Sequence, residues 1–313
     1  MTKVFIDGKA GTTGLKIYDR LTQRADIELL TLPEELRKDT QARKEMLNKA
    51  DIAFLCLPDA AAIEAVSLID NPDTVVIDTS TAHRTNPDWA YGFAELSEEH
   101  FNKIRNSKRI AVPGCHASGF ISLVYPLVKA GAIKADELLS CFSLTGYSGG
   151  GKQMIAYYES EDRNFELSSP RQYATAQSHK HIPEMTKVTG IENPPVFCPI
   201  VADYFSGMQV TVPLHKSQLC EGFTIESIRE IYRNMYKDRV VTYTEKMDGT
   251  GFISSNAFTG FDNMQVTVEG NEDRILLISR YDNLGKGASG AAVECMNIAL
   301  GMDKTTSLSI KEV

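Results

Sequence analysis

The sequence lacks a long apolar run, a dense set of cysteines and an excess of positive charge. No apolar segment in the 313 residues approaches the length that spans a bilayer, so no membrane-spanning helix is expected. The six cysteines are scattered, without Cys-x-x-Cys pairs, and they do not predict a disulfide scaffold. A net charge of −8 argues against a large nucleic-acid-binding face, because phosphate contacts need clustered lysine and arginine.

The length and the first residues set two further limits. A chain of 313 residues is long for one hydrophobic core and suggests about two domains. A strand-like run, Lys3–Ile6, begins almost at once and leaves no room for a signal peptide. With scattered thiols and no such leader, a reducing cytoplasm is the expected location.

The first third of the chain alternates short apolar runs with helical patterns. Near-continuous apolar strands separated by helices predict a parallel sheet covered on both faces, which is a doubly wound, Rossmann-like α/β domain. The apolar runs are Val4–Ile6, Ile27–Leu30, Ile52–Leu57, Val75–Ile77 and Ile110–Val112.

The pattern changes after residue 115. Runs such as 208–212 and 264–268 alternate polar and apolar residues, which is typical of an antiparallel sheet with one covered face. We therefore expect a second, α+β domain built on a mostly antiparallel sheet. The expected division assigns residues 1–115 plus 286–313 to a dinucleotide-binding domain and residues 116–285 to a catalytic and oligomerisation domain.

Three glycines, Gly8, Gly11 and Gly14, follow the first predicted strand and open the first helix. Their spacing is GxxGxxG rather than the commoner GxGxxG. The physical logic is the same: a tight turn, a close backbone approach to phosphates, and a helix N-terminus that faces them. This turn, which includes Thr12 and Thr13, predicts a dinucleotide site; a glycine turn needed only for packing is the alternative.

The end of the second predicted strand bears on the choice between NAD and NADP. Thr31-Leu32-Pro33 contains no acidic residue of the kind that binds the ribose hydroxyls of NAD, and Arg37 and Lys38 follow closely. An absent carboxylate and nearby positive charge favour a 2′-phosphate, and so NADP. A solvated surface is the alternative interpretation of the two basic residues.

Cys115 lies between the strand-like run Ile110–Val112 and an apolar helical segment. Pro113 and Gly114 make the corner, so the sulfur is expected at or near a helix N-terminus. Unpaired N–H groups and the helix dipole lower the pKa of a thiol there and raise its thiolate fraction. A catalytic nucleophile and a small buried hydrophobe are the two interpretations.

Two histidines, His179 and His181, stand two residues apart and close to Glu184. On an extended segment they would share a face, but no third ligand stands nearby, so no metal site is predicted. A general acid or base that serves Cys115 is the sharper hypothesis. The sequence does not decide between the two imidazoles.

Three further segments carry polar or small residues beside predicted strands. Arg84 follows the fourth strand, at the sheet edge where ligands bind, and is a candidate clamp for an anionic substrate or a surface salt bridge. The glycine run 149–151, followed by Lys152, could admit phosphate or nicotinamide, or simply form a turn. Asn283 precedes a glycine-rich helix start and could hydrogen-bond a nicotinamide carboxamide, or be an ordinary polar residue of a turn.

In this order, the segments resemble the aspartate-semialdehyde dehydrogenase superfamily, and within it most closely the N-acetyl-γ-glutamyl-phosphate reductases of the shorter, second type. The matching segments span nearly the whole chain and are residues 5–15, 78–84, 112–115, 145–152, 179–184 and 282–290.

The resemblance implies an NADPH-dependent acyl-phosphate reductase of arginine biosynthesis. Such an enzyme converts N-acetyl-γ-glutamyl phosphate to N-acetylglutamate 5-semialdehyde and phosphate. The resemblance also implies that Cys115 forms a thioester, that the segment of His179 and His181 holds the acid/base, and that the second domain forms a homodimer or homotetramer.

The expected site residues fall into three sets. The catalytic residues are Cys115, His179 and His181, and the substrate-binding residues are Arg84 and Lys152. The expected NADP-binding residues are Gly8, Gly11, Thr12, Thr13, Gly14, Pro58, Gly149, Asn283, Lys286 and Gly287.

Three other functions stay open on sequence grounds. An aspartate-semialdehyde dehydrogenase would differ only in its substrate. A non-catalytic, NADP-sensing regulatory protein on the same scaffold would have no use for the cysteine and the histidines. A cysteine hydrolase would leave the nucleotide turn unexplained.

Overall fold

The computed structural model describes residues 1–312 and divides the chain into two compact units. Unit 1 comprises residues 1–113 and 288–308. Unit 2 comprises residues 114–287 and, of the described residues, 309–312. No helix among the described residues combines the length and the apolar character that a membrane span requires.

The predicted division differs from these units at its borders. It placed the crossings after residue 115 and before residue 286, two residues away from each observed border. It also assigned the chain end to the nucleotide-binding domain, whereas residues 309–312 belong to unit 2. The reason is a pair of hydrogen bonds: the carbonyl oxygen of Ser309 accepts from the N–H of Asp262, and its own N–H donates to the Asp262 carboxylate.

Unit 1 is built on a six-stranded sheet in which all neighbouring strands run parallel. The strands are β1 (Thr2–Asp7), β2 (Ile27–Leu30), β3 (Ile52–Leu55), β4 (Val75–Asp78), β5 (Ala90–Tyr91) and β6 (Arg109–Ala111). Their order is β2-β1-β3-β4-β6-β5, so the chain switches sides between β1 and β3. This doubly wound order confirms the predicted fold class, and ligands bind at such a switch point.

Helices cover both faces of this sheet. They are α1 (Thr12–Leu21), α2 (Thr40–Lys49), α3 (Asp59–Ser67) and α4 (Glu98–Asn106). Val4 and Ile6 of β1 pack into one hydrophobic cluster with α1, whereas Phe5 packs into another with α2 and α3. Alternate residues of one strand are therefore buried on opposite faces, which explains the continuous apolar runs.

Unit 2 is built on a seven-stranded mixed sheet of order β11-β12-β13-β10-β7-β9-β8. The strands are β7 (Ser140–Gly146), β8 (Arg171–Gln172), β9 (Val196–Ala202), β10 (Met208–His215), β11 (Val241–Tyr243), β12 (Met264–Gly270) and β13 (Arg274–Tyr281). The β7–β9 and β11–β12 pairs are parallel and the other four pairs are antiparallel. This confirms a mostly antiparallel second sheet.

The helices of unit 2 lie mainly around the first of them. They are α5 (Cys115–Lys129), α6 (Gly151–Glu159), α7 (Ile182–Thr189) and α8 (Ile225–Met235). Helix α5 is mostly buried and packs against β10, β13, α7 and α8. A π-helical turn, Gly285–Ser289, then leads into α9 (Gly290–Ala299), which packs with the helices of unit 1.

Candidate active site

A glycine turn follows β1 at the switch point of unit 1. Gly8 has a φ of +86°, and a Cβ there would come within 2.2 Å of the Cys56 carbonyl oxygen. A Cβ on Gly14, in α1, would lie 2.7 Å from the Gly8 carbonyl oxygen. A Cβ on Gly11 would meet no atom closer than 3.5 Å. The close approach of turn, strand and helix therefore requires Gly8 and Gly14, but not Gly11.

The N-terminus of α1 offers donors that suit phosphate. Helix α1 begins at Thr12, and no side chain caps it. The Thr12 hydroxyl oxygen is buried and has no hydrogen-bond partner within residues 1–312. Pro58 caps α3 at the carboxyl end of the neighbouring strand β3. The uncapped helix end, the unpartnered hydroxyl and the glycine cradle fit the phosphates of a dinucleotide.

A cleft of about 760 Å³ lies beside this turn, within unit 1. It holds the expected basic pair, but its charges balance: the lining has four basic and four acidic side chains, Lys9, Arg37, Lys38, Arg43, Asp7, Glu34, Glu35 and Glu64. Arg37 forms an ion pair with Glu34. Glu34 and Glu35 directly follow the stretch 31–33 and add negative charge to the cleft, which the absence of acidic residues in that stretch did not predict.

Asp7, at the end of β1, anchors one of these basic side chains. Its carboxylate accepts hydrogen bonds from Nε and Nη2 of Arg43, at 3.1 and 2.9 Å. Burial raises the pKa of Asp7, and the hydrogen bond and charge of Arg43 oppose that rise. Arg43 is thus held by Asp7, whereas Arg37 and Lys38 are exposed residues of the cleft lining.

Arg84 is buried after β4, and its guanidinium binds the main chain. Nε donates to the carbonyl oxygen of Val112 at 2.8 Å, and Nη2 donates to that of Thr79 at 2.9 Å. In the same loop, Nδ1 of His83 lies 2.7 Å from the buried Asp78 carboxylate. A buried polar network therefore fixes this loop, and Arg84 holds the strand end that precedes the Pro-Gly corner.

Cys115 is the first residue of α5, as the strand–corner–helix pattern predicted. The N–H of Gly114 donates to Oε2 of Glu184 at 3.1 Å, and the Tyr281 hydroxyl donates to the Cys115 carbonyl oxygen at 2.5 Å. A Cβ on Gly287 would lie 3.0 Å from the Cβ of Cys115. The backbone of the thiol is held from two sides, while a glycine keeps the space beside it open.

Three imidazoles gather beside the start of α5. The His116 ring lies 5.5 Å from that of His179 and 5.6 Å from that of His181, and the last two are 4.7 Å apart. The two histidines do not lie on an extended segment, because His181 is the N-cap of α7 and its N–H donates to Nδ1 of His179. Within residues 1–312, no three histidine, cysteine, aspartate or glutamate side chains are arranged so that they could hold a metal ion.

Sequence reasoning missed His116 and its partners. Its Nδ1 lies 2.7 Å from the Ser143 hydroxyl, and its Nε2 lies 2.6 Å from the Tyr173 hydroxyl. Burial, followed by the charge of His179, lowers the pKa of His116 to about 3. The ring is therefore neutral at neutral pH, with one donor and one acceptor nitrogen. The available signal was an ionisable side chain directly after Cys115 in a mostly apolar helical segment.

Asn283 and Gly149 come together in unit 2. A Cβ on Gly149 would lie 3.5 Å from Nδ2 of Asn283. The buried Asn283 amide donates to the Ser148 hydroxyl at 3.0 Å and accepts from the N–H of Gly207 at 2.9 Å. The amide that was expected to bind a nicotinamide carboxamide thus has protein partners at both of its ends.

The remaining expected residues differ in burial. Lys286 is buried in the π-helical turn, whereas Lys152 is exposed near the start of α6. Unit 1 thus gathers the glycine turn and Pro58 at one sheet edge. Unit 2 gathers Cys115, Gly287 and the histidines around the start of α5.

The sequence matches two family models. Residues 31–104 match the semialdehyde dehydrogenase NAD binding domain, and residues 115–283 match the semialdehyde dehydrogenase dimerisation domain. The fold is similar to that of aspartate semialdehyde dehydrogenase II from Vibrio cholerae, with a TM-score of 0.71 at 18% identity over 96% of this chain and 99% of that one. The class that fold and sequence define is that of the semialdehyde dehydrogenases.

Closer relatives identify the family. The chain is 44% identical over 305 residues to an N-acetyl-γ-glutamyl-phosphate reductase of Rhizobium etli, covering 95% of this chain and 98% of that protein. It is 43% identical over 303 residues to that of Burkholderia cenocepacia, covering 95% and 97%. The chain belongs to the N-acetyl-γ-glutamyl-phosphate reductase family, which confirms the resemblance.

Proposed function

We propose that this chain is an NADPH-dependent enzyme of arginine biosynthesis that reduces N-acetyl-γ-glutamyl phosphate to N-acetylglutamate 5-semialdehyde and phosphate. The observation that carries the proposal is Cys115 at the N-terminus of α5, beside the imidazole cluster, in a chain with the relatives described above. The substrate is a small acyl phosphate.

Cys115 acts as the nucleophile. The N-terminus of α5 favours its thiolate over its thiol. The sulfur attacks the acyl carbon, the bond from that carbon to the phosphate oxygen breaks, and phosphate leaves with the electron pair. An acyl thioester remains on Cys115, and main-chain N–H groups of the first turn of α5 stabilise the oxyanion that forms on the way.

The residues proposed to bind the cofactor include the glycine turn of unit 1. When bound, the nicotinamide cofactor supplies the hydride that reduces the thioester. The turn of Gly8, Gly11 and Gly14, the hydroxyls of Thr12 and Thr13, and Pro58 would bind the phosphates. Gly149, Lys286 and Gly287 are the proposed contacts in unit 2.

The preference for NADPH over NADH is assigned to the cleft beyond β2. Arg37 and Lys38 line it, and no acidic residue stands at Thr31 or Leu32, where a ribose-binding carboxylate would be expected. The 2′-phosphate would compete with Glu34 for Arg37. Binding titrations with NADPH and NADH test the preference directly.

The pair of His179 and His181 manages the proton. Collapse of the thiohemiacetal breaks the carbon–sulfur bond, leaves the electron pair on sulfur and releases the aldehyde. One of the two imidazoles takes the hydroxyl proton and returns it to the sulfur. His116, with its lowered pKa, stays neutral and fixes the hydroxyls on either side of it. Lys152 is the proposed ligand of the phosphate group, whereas Arg84, whose Nε and Nη2 donate to main-chain carbonyls, is not proposed to bind it.

We propose a homodimer or homotetramer that forms through unit 2, in the cytoplasm. The outer face of the seven-stranded sheet carries Phe142, Val196 and Leu276, which are 42%, 56% and 40% exposed. An apolar patch of this kind marks an interface with another protein surface.

None of the described cysteines forms a disulfide, which suits a reducing compartment and a thiol nucleophile.

The decisive measurement is phosphate-dependent reduction of NADP⁺ by N-acetylglutamate 5-semialdehyde. We expect kcat/KM for this aldehyde to exceed that for aspartate semialdehyde by about 100-fold or more. A higher kcat/KM for aspartate semialdehyde would overturn the proposal in favour of the aspartate enzyme. Binding of NADPH without turnover of either aldehyde would point to a non-catalytic protein.

A further inference from the structure

We infer that Arg171 binds the α-carboxylate of the substrate. This inference rests on the proposed function, because the carboxylate is the one carried by N-acetyl-γ-glutamyl phosphate and by its semialdehyde product. Arg171 was not among the residues expected to bind substrate. Its side chain stands on the same strand face as Tyr173, whose hydroxyl lies 2.6 Å from Nε2 of His116.

The strand pairing fixes the direction of the Arg171 side chain. Arg171 pairs with Val201 of β9, and the N–H of Tyr173 donates to the carbonyl oxygen of Pro199. Val201 and Pro199 are buried, so this is the covered face of the sheet. Residues two apart on an extended segment point the same way, so Arg171 and Tyr173 share that face.

This face meets the thiol end of α5. The ring of Phe197, also on the covered face of β9, lies 5.3 Å from the ring of His116, which follows Cys115. Burial, and then the charge of Cys115, raise the pKa of Tyr173. Tyr173 therefore lies close to the thiol of Cys115. Arg171, two residues before it, lies about 6.5 Å farther along the strand.

The guanidinium of Arg171 has a donor with no acceptor in the protein. Its Nη2 donates to the hydroxyl of Tyr158 at 3.0 Å, and the group lies over the ring of that tyrosine. Its Nε is buried without a hydrogen-bond partner, and no acidic side chain within residues 1–312 pairs with it. Arg163 and Arg280 of unit 2, by contrast, bond to aspartates.

An anionic ligand would satisfy this donor. A buried N–H without an acceptor costs free energy, and a carboxylate accepts the guanidinium fork with two oxygens. Tyr158 fixes the plane of the group from one side, so the fork is oriented before a ligand binds. Arg171 therefore has the charge, the orientation and the unused N–H donor that binding an anion requires.

Distance along the substrate selects the carboxylate over the phosphate. The phosphate is bonded to the acyl group that Cys115 attacks, so it must lie beside the sulfur. The α-carboxylate is four carbon–carbon bonds, about 5 Å, from the acyl carbon. Arg171 stands one strand step beyond Tyr173, which suits the far end of the substrate.

The reverse reaction separates the two anions, because the semialdehyde carries the carboxylate while inorganic phosphate is a second substrate. Arg171→Met is expected to raise KM for N-acetylglutamate 5-semialdehyde about tenfold or more and to leave KM for phosphate within about twofold. Arg171→Lys keeps the positive charge but not the forked guanidinium, so its KM for the semialdehyde is expected to lie between those of the wild type and Arg171→Met. Arg163→Met, which removes an exposed arginine of the same unit, should change neither KM.

A substrate without the carboxylate makes the test independent of variant folding. The wild type should turn over 4-acetamidobutanal with a kcat/KM about tenfold or more below that for N-acetylglutamate 5-semialdehyde, and Arg171→Met should lose most of this discrimination. Should the methionine variant not fold, Arg171→Lys must still lose part of it.

Each other outcome has a definite meaning. Undiminished discrimination in the Arg171 variants, or equal use of both aldehydes by the wild type, would overturn the inference. A rise in KM for phosphate alone would overturn it too, and would move Arg171 to the phosphate subsite. A wild type inactive on N-acetylglutamate 5-semialdehyde would contradict the proposed function instead.

Discussion

Units 1 and 2 each have a helix N-terminus at the proposed site, but the surrounding residues differ. In unit 1, α1 follows Gly11 without a cap, and the missing Cβ atoms of Gly8 and Gly14 create the space. In unit 2, Glu184 and Tyr281 hold the backbone on either side of Cys115. The helix N-terminus of unit 1 thus depends on glycines that lack side chains, whereas that of unit 2 depends on side chains that bond to its backbone.

The difference suits the role proposed for each site. A dinucleotide phosphate needs backbone donors and room, which a local turn supplies. A thiol that forms and breaks a covalent bond needs a fixed position and a proton carrier, which several segments must supply together. The polar chain Ser143–His116–Tyr173 and the pair His179–His181 come from four separate stretches of unit 2.

The largest expected effect separates the chemistry of unit 2 from the binding of unit 1. Cys115→Ser should lower kcat by about 1,000-fold or more, because the alkoxide needed to replace the thiolate does not form at neutral pH. The Kd for NADPH should stay within about twofold. Steady-state kinetics and fluorescence titration measure the two quantities. Cys220→Ser is the control, and undiminished turnover in Cys115→Ser would sink the nucleophile assignment.

A substitution in the glycine turn should show the opposite pattern. Gly8→Ala forces a Cβ against the Cys56 carbonyl at a φ of +86°, and should weaken NADPH binding by about 100-fold and lower the free energy of unfolding by about 2 kcal/mol. Gly249→Ala, in unit 2, is the control, because its Cβ would meet no atom within 4 Å. Equal effects of the two substitutions on the NADPH Kd would contradict this account.

The neutral histidine of unit 2 predicts a pH dependence of stability. The unfolded chain binds a proton at His116 near pH 6.5, whereas the folded chain binds it only near pH 3. Stability should therefore fall as pH drops below 6.5. The loss should approach about 1.4 kcal/mol per pH unit more in the wild type than in His116→Asn. Urea unfolding at pH 7, 6, 5 and 4 measures it, and parallel curves for the two proteins would contradict it.

The smallest effect concerns the charge balance of the cleft in unit 1. Glu34→Gln removes the partner of Arg37 and should tighten NADPH binding about threefold, with little change for NADH. Isothermal titration at two salt concentrations measures it, since added salt should shrink the gain. A gain of the same size for NADH would show that Glu34 does not act on the 2′-phosphate.

Strand β9, the role of Glu34 and the partners of Asn283 could not be predicted from the sequence. Strand β9 contains Pro199, which argues against a strand within a sheet, and only its place between β7 and β8 makes it one. Glu34 became relevant only because the turn that follows β2 lines the cleft. Asn283 has the residue type expected of a carboxamide ligand, but tertiary packing supplied other partners.

The sequence by itself determined the doubly wound class of unit 1, the turn at Gly8 and the place of Cys115 at the start of a helix. These features depend on hydrophobic periodicity and turn chemistry, which act between residues close together along the chain. Only the tertiary structure decided that His116, Tyr173 and Arg171 stand near one another, because strand pairing and helix packing join segments that no local pattern connects.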